Sequence, residues 1–310
     1  YTLSLHDALP ICVPHTINRG PKGPMQHHGS TRNLGPDDRT MTVRVFGRNR
    51  MDVRNPLQSA LKDNRPYALQ KALKSLGQED SVTLFNTLEM LQRNEAIVLD
   101  ERHFTVGVSS CGRSELWQHA CWLFEAMPKA NIQPDVISFT AAVSACEKAG
   151  EWQHALSYIA AMKVASIQPN VVSYSAAIGS CKKEGQWQQA LNVFDSMQQV
   201  DVRPNVITYS ATISSCEQSG AWQHALALFQ AMPQTKVQPN GFTYSAAISC
   251  CGKGLEWQRA LILFHSMPAA ALQPNTVVCS AIISSCEKSG EWQQALILFD
   301  SMPESHVGAD

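Results

Sequence analysis

A chain of 310 residues with 44% hydrophobic content holds enough apolar material for a core, which excludes disorder of the whole chain; with no run of 18 apolar residues, it offers nothing that reads as a membrane span. The formal net charge of −1 conceals an imbalance, since residues 1–100 carry 13 Lys and Arg against 10 Asp and Glu, and residues 101–310 carry 12 against 16. So mildly acidic a main body argues against tight, sequence-independent binding to nucleic acid, which needs a basic surface.

In chain order, residues 1–56 read as a disordered leader, mixing Gly, Pro, Arg, His and Asn without periodicity from residue 13 onward. The first eleven residues, YTLSLHDALPI, lack an initiating Met and look like translated adapter sequence, with Met25 and Met41 as alternative starts. Arg44, Arg48, Arg50 and Arg54 with only Asp52 opposing them fit the remnant of an organellar transit peptide over 41–54, and equally a basic disordered tail. Residues 57–100 follow. Their stretch Pro66 to Asp100 is 35 residues long and carries helical spacing in Leu84, Leu88 and Leu91, so it reads as a divergent helical repeat or an N-terminal cap.

From Glu101 the chain repeats itself. Trp117, Trp152, Trp187, Trp222, Trp257 and Trp292 are spaced by 35 residues, and the same step carries a Cys column from Cys111 to Cys286, an Ala column from Ala120 to Ala295 and a Met column from Met127 to Met302. Prolines close five units, at Pro134, Pro169, Pro204, Pro239 and Pro274. A fixed period of this size indicates stacked supersecondary units. Six units result: 101–135, 136–170, 171–205, 206–240, 241–275 and 276–310.

Within 171–205, Tyr174, Ala177, Ile178 and Cys181 mark one helix face; Gly185 is expected to end that helix. Trp187, Ala190, Leu191, Phe194 and Met197 mark a second helix, stopped by Pro204. One hairpin cannot bury its own apolar face, so neighbours must stack. The expected fold is all-α, a right-handed superhelical solenoid of 35-residue helix-turn-helix repeats with first helices on the concave side. The Trp and Cys columns read as core packing, the ten cysteines as buried thiols without disulfides, and the column of His119, His154 and His224 as a solvated face.

The 35-residue step, the Met column and unit endings such as IQPN, VRPN and VQPN resemble the pentatricopeptide repeat family, P class. The resemblance extends over 101–310. It implies single-stranded RNA as the partner, with one base read per repeat by the fifth and last residues of each unit. The pairs are Thr105 with Asp135, Thr140 with Asn170, Ser175 with Asn205, Ser210 with Asn240, Ser245 with Asn275, and Ser280 with Asp310. In the family, a hydroxyl with Asn favours adenine and a hydroxyl with Asp favours guanine, which implies a target G-A-A-A-A-(G). The second residue of each unit wedges against the bases, a role that suits Ile137, Val172, Ile207, Phe242 and Val277; Arg102 departs from it. The family also implies a mitochondrial or plastid address and protein partners supplying nuclease or other activity.

The residues speak to this chemistry on their own account. Asn offers a donor and an acceptor, Asp only acceptors, and a hydroxyl either. The thirteenth residues Arg113, Lys148, Lys183, Lys253 and Lys288 form a cationic ladder fit for phosphates, interrupted by Gln218 and diluted by Glu147, Glu217 and Glu287. Two other readings stay open: Pro-Asn before a helix is also an ordinary turn and cap, and a solenoid groove can hold a peptide instead of RNA. No nucleophile triad, metal-ligand spacing or phosphate loop stands out, so no enzyme activity, cofactor or metal is expected from this chain. A catalytic extension beyond Asp310, where the sixth unit ends without a polar capping helix, is the third reading.

Overall fold

The computed structural model describes residues 66–92, 99–274 and 276–300. The leader 1–56 with its segments 1–11 and 41–54, and the positions Asn275 and Asp310, lie outside the described residues.

Among the described residues there are fourteen α-helices and no strand. They run in pairs: α1 Pro66–Glu79 with α2 Ser81–Gln92, α3 Glu101–Arg113 with α4 Trp117–Lys129, α5 Val136–Ala149 with α6 Trp152–Val164, and α7 Val171–Ser180 with α8 Trp187–Gln199. Then come α9 Val206–Glu217 with α10 Trp222–Gln234, α11 Gly241–Lys253 with α12 Trp257–Ser266, and α13 Thr276–Lys288 with α14 Trp292–Asp300. The first helices stack directly on one another, from α1 through α3, α5, α7, α9 and α11 to α13. Each second helix instead packs on its own first helix and on the next one. The layer whose members touch their successors directly must be the inside of the curve, so first helices line the concave side of a superhelical solenoid.

Two turns, repeated unit after unit, set this geometry. The Cys column marks the first: the carbonyl of Cys111 accepts from the backbone N–H of Leu116 at 2.9 Å, Cys181 from Gln186 at 3.0 Å and Cys216 from Ala221 at 3.1 Å. The Met column marks the second, with Met127 accepting from Ile132 at 3.0 Å and Met162 from Ile167 at 2.9 Å. Both are C-terminal caps that force one residue into the left-handed region. At the first turn Gly150, Gly185, Gly220 and Gly290 take φ of 85°, 62°, 63° and 76°, but Leu255 stands at φ 61° in the same place. Leu255 is also exposed, so Leu255→Gly should remove strain without opening a cavity. We expect stability to rise by about 1 kcal/mol, read as a higher urea midpoint at unchanged slope.

The helix α7 ends at Ser180, short of Gly185, and Cys181 and Lys182 close it with bonds back to Ile178 and Gly179. Gly179, a weak helix former placed just before this end, gives the chain freedom to tighten there.

The core follows the columns. Cys111, Cys146, Cys181, Cys216, Cys251 and Cys286 are fully buried, as are Ala120, Ala155, Ala190, Ala225 and Ala260, and Met127, Met162, Met197, Met232 and Met267. Between units, the Phe of a second helix meets the fourth residue of the next unit edge to face: Phe124 on Phe139 at 4.7 Å, Phe194 on Tyr209 at 5.0 Å and Phe229 on Tyr244 at 4.8 Å. Among the described residues every cysteine is free. Burial pushes the thiols of Cys111, Cys181, Cys216 and Cys251 up to about 11, so they stay protonated and unreactive near neutral pH.

Trp117, Trp152, Trp187, Trp222 and Trp257 pack half-buried against the core, as expected, whereas Trp292 is exposed. Each of three lies against the third residue of the next second helix: Trp117 on His154 at 5.1 Å, Trp187 on His224 at 4.6 Å and Trp222 under the Arg259 guanidinium at 4.5 Å. His154 and His224 are therefore partners of the tryptophan column, while His119 meets the Phe85 ring at 4.5 Å, so the histidine column is not simply a solvated face; His, with a flat ring, and Arg259, with a flat cation, fill the same role. Periodicity within one helix could not reveal a contact made between units.

Candidate nucleic-acid interface

The last residue of each unit caps the next first helix. Asp135, Asn170, Asn205 and Asn240 hold extended backbone, and their side-chain oxygens accept from the backbone N–H three residues on, at 2.7, 2.9, 3.0 and 2.9 Å. That N–H would otherwise have no partner in the helix. In each Asn the carbonyl oxygen must face the helix, because an N–H can only be met by an acceptor. The Nδ2 amide is thereby turned away from it. The turn-and-cap reading of this column is geometrically right, and it constrains what the side chain can offer to anything in the groove.

The fifth-position hydroxyls reach the same caps through a third residue. Thr140 is 2.6 Å from Ser173, Ser175 is 2.8 Å from Thr208, and Ser210 is 2.8 Å from Thr243. Ser173, Thr208 and Thr243 in turn donate to the Asn170, Asn205 and Asn240 carbonyl oxygens at 3.1, 3.1 and 2.9 Å. The paired positions Thr140 with Asn170, Ser175 with Asn205, and Ser210 with Asn240 are thus brought together, each by a hydroxyl of the following unit. Their exposure differs: Ser175 and Ser210 are 8% and 3% exposed, whereas Thr140 and Ser245 are half-buried and Ser280 is exposed. Thr105 turns its hydroxyl to the Glu101 carbonyl at 2.8 Å, and Ser138 turns to the Asp135 carbonyl at 3.0 Å.

The second-position residues form an apolar row on the same side. Ile137, Val172, Ile207, Phe242 and Val277 are 66%, 55%, 64%, 57% and 63% exposed. One exposed aliphatic side chain is unremarkable, but five in register are a surface. The thirteenth-position cations Arg113, Lys148, Lys183, Lys253 and Lys288 are all exposed, and several touch their own chain. Arg113 donates to Ser110 at 2.9 Å, Lys183 donates to the Lys148 carbonyl, and Lys253 lies 3.3 Å from the Glu217 carboxylate. Glu147 folds down over Gly179, where burial pushes its carboxyl above the usual range. The dilution of the ladder expected from these glutamates is realised at Glu217, whose carboxylate engages Lys253.

These rows converge in a cavity of about 360 Å³ on the inner side of the second and third units. It is lined by Ile137 and Val172, by Thr140 and Asn170, and by Arg113 and Lys148. An apolar slot, a hydroxyl with an amide, and two cations are what a flat heteroaromatic ring carrying a phosphate needs. Among the described residues no cluster of His, Cys, Asp and Glu could hold a metal ion, and no helix is long and apolar enough to cross a membrane.

Sequence reasoning missed two sets of residues here. The bridging hydroxyls Ser173, Thr208 and Thr243 recur at the third position of their units, a signal present in the sequence but masked by their burial role. The other is Lys182, whose ammonium sits 5.7 Å from the Phe242 ring two units on. No spacing rule within one repeat would find it.

Models of repeat families match most of the repeated region. A model of the PPR repeat family matches residues 169–218, one of the pentatricopeptide repeat domain matches 122–184, and one of the PPR repeat matches 207–236, 242–270 and 277–307. The chain belongs to the pentatricopeptide repeat family. Among solved structures, the pentatricopeptide repeat protein PPR10 from maize superposes with a TM-score of 0.67 at 21% identity, over 82% of this chain and 37% of that one. PPR10 in complex with an 18-nt psaJ RNA element superposes with a TM-score of 0.52 at 20% identity, over 84% of this chain and 39% of that one. The likeness is one of fold, and the chain spans less than two fifths of the length of PPR10. No curated protein matches the chain. As a pentatricopeptide repeat array it has the solenoid expected from its period, with the first helices of the repeats presenting the groove.

Proposed function

We propose that this pentatricopeptide repeat protein binds single-stranded RNA in its concave groove, one base per repeat, with a preference for A-rich sequence of the form G-A-A-A-A-(G). The observation that carries this reading is the cavity between Ile137 and Val172. There a base can be sandwiched while its edge faces Thr140 and Asn170 and its phosphate lies near Arg113 and Lys148. Complexes of the structurally similar PPR10 with an RNA element support it. Ile207, Phe242 and Val277 continue the wedge, and Lys183, Lys253 and Lys288 the ladder. Thr105 with Asp135, Ser245 with Asn275 and Ser280 with Asp310 are the outer readers of this scheme. The P-class assignment, an organellar address in mitochondrion or plastid, and protein partners that supply nuclease activity belong to the same reading.

The test is a titration of the full chain with an A-rich RNA containing GAAAAG against a U-rich RNA of equal length. We expect tighter binding to the first; equal or absent binding would support a peptide-binding scaffold. Lys148→Ala should weaken both RNAs alike and reduce the slope of log affinity against log salt by about 0.7, the value of one single-strand phosphate contact. Selective loss of one sequence would remove Lys148 from the phosphate ladder.

A further inference from the structure

We infer that Cys121 and Cys146 form a modification site, a pair of thiols that a small peroxide joins into a disulfide, stapling the first repeat to the second. The inference does not depend on RNA binding and uses neither the base-reading residues nor the cationic ladder.

Cys121 lies on α4 of the first unit and Cys146 on α5 of the second, two helices that pack on each other, and their sulfurs are 3.9 Å apart. A disulfide holds its sulfurs about 2 Å apart, so about 2 Å of approach, shared between two side chains, completes the bond. Cys146 belongs to a column present in every unit, whereas Cys121 does not: the other five units hold Leu156, Leu191, Leu226, Leu261 and Leu296 at its position. Leucine fills that place elsewhere in the array, so packing alone does not call for sulfur there.

The chemistry of Cys121 differs from that of its neighbours as well. Burial raises the thiols of the Cys column at Cys111, Cys181, Cys216 and Cys251, but Cys121 moves the other way. The Cys146 S–H, and after it the Tyr158 hydroxyl, donate to its sulfur and hold its thiol below the ordinary range against the effect of burial. Cys146 is pushed up by that same bond and by burial. Cys121 is therefore the sulfur that ionises first and attacks, and Cys146 the one that resolves. With Cys121 7% exposed and Cys146 0%, the oxidant must be as small as hydrogen peroxide.

The Cys121 sulfur attacks one peroxide oxygen, the O–O bond breaks, and the thiol proton leaves with the other oxygen as water. The Cys146 sulfur then attacks the Cys121 sulfenic acid. An S–S bond forms, the S–O bond breaks, and the Cys146 proton leaves with that oxygen as a second water. Two thiols lose two electrons in all, and one peroxide is reduced to two waters. The bond spans the junction where Phe124 meets Phe139 and Tyr158, so a contact held by packing becomes covalent.

The test uses the full chain with Cys12→Ser, which removes the cysteine outside the described residues. The reduced protein is treated with hydrogen peroxide, quenched, unfolded and blocked with N-ethylmaleimide, then digested with trypsin. Residues 114–129 and 130–148 form separate peptides with one cysteine each, Cys121 and Cys146. We expect mass spectrometry to find these two peptides joined, the link to vanish on reduction with dithiothreitol, and none to form in Cys121→Leu, which restores the residue of the other units. Blocked thiols at both positions, a Cys121 oxidised without Cys146, or a bond from Cys121 to another cysteine would each overturn the site. Oxidation should also raise the urea midpoint of the chain but not that of Cys121→Leu; a lowered midpoint would mean that the stack must open to make the bond, and would overturn it too.

Discussion

Asn205→Asp is expected to turn the preferred base at the third nucleotide from adenine to guanine while leaving the fold in place. Asp and Asn cap helices equally well, and Asp gains from the positive end of the helix dipole. One carboxylate oxygen takes over the bonds that the Asn205 carbonyl oxygen now receives from the Thr208 N–H and hydroxyl at 3.0 and 3.1 Å. The atom turned to the groove then changes from an N–H donor to an oxygen acceptor. It no longer matches adenine N1 and instead accepts from guanine N1–H. A base-edge contact of this kind discriminates by about 1–3 kcal/mol, or roughly 5- to 150-fold in affinity. Titrating the variant against RNAs that differ only at that nucleotide reads the effect, and an unchanged adenine preference would refute the proposed role of Asn205. Asn205→Ala is the poorer probe, since loss of the cap costs about 1 kcal/mol of stability and mixes folding with recognition.

In the proposed scheme, the residue that starts each first helix is also the one that reads the base. The cap fixes the side chain in a single orientation before any ligand arrives, so little freedom is lost on binding. A loop residue with the same amide would have to be ordered first. The hydroxyl at the third position adds a second anchor, and in the proposed complex the exposed row of Ile137, Val172, Ile207, Phe242 and Val277 would set the spacing of the bases. Each unit thus presents a pre-set polar edge beside an apolar slot, and stacking units at a period of 35 residues repeats that arrangement along the array.

The columns at a step of 35 made the solenoid legible, because the Cys, Ala and Met positions describe one buried face per helix and are fully buried where the chain packs. The exposure of Ile137 and its counterparts agrees with the second-position role that the family resemblance implies, and no burial pattern in the sequence announced it. What stayed hidden is whatever one unit does to the units stacked after it. The Trp187 contact with His224, the Lys182 approach to Phe242 and the Ser175 bond to Thr208 all join residues separated by 33 to 60 positions. Helical periodicity describes the neighbours of a residue within its own turn and is silent on the face it meets across the stack. The burial of Ser210 belongs to the same class: in the sequence it is one more polar residue on the groove side, and only the packed neighbour decides that it is covered.

The same dependence on neighbours predicts how the array fails. Phe124 is 3% exposed and joins the first two units, meeting Phe139 at 4.7 Å and Tyr158 at 5.1 Å, both edge to face. Phe124→Ala should cost about 3–5 kcal/mol from lost burial and the cavity left behind. In a globular core that loss would be shared by the whole domain. In a solenoid each unit touches only the next, so the loss falls on one interface and the parts on either side keep their own stability. We expect urea unfolding followed by far-ultraviolet circular dichroism to break into two steps, the earlier one belonging to the helices up to Lys129. Phe194→Ala, which cuts between Phe194 and Tyr209 at 5.0 Å, should move the break so that a larger share of the helical signal is lost in the first step. A single transition in both variants, shifted in midpoint with an unchanged slope, would mean that coupling between units exceeds the loss at one interface and that the array folds as one body.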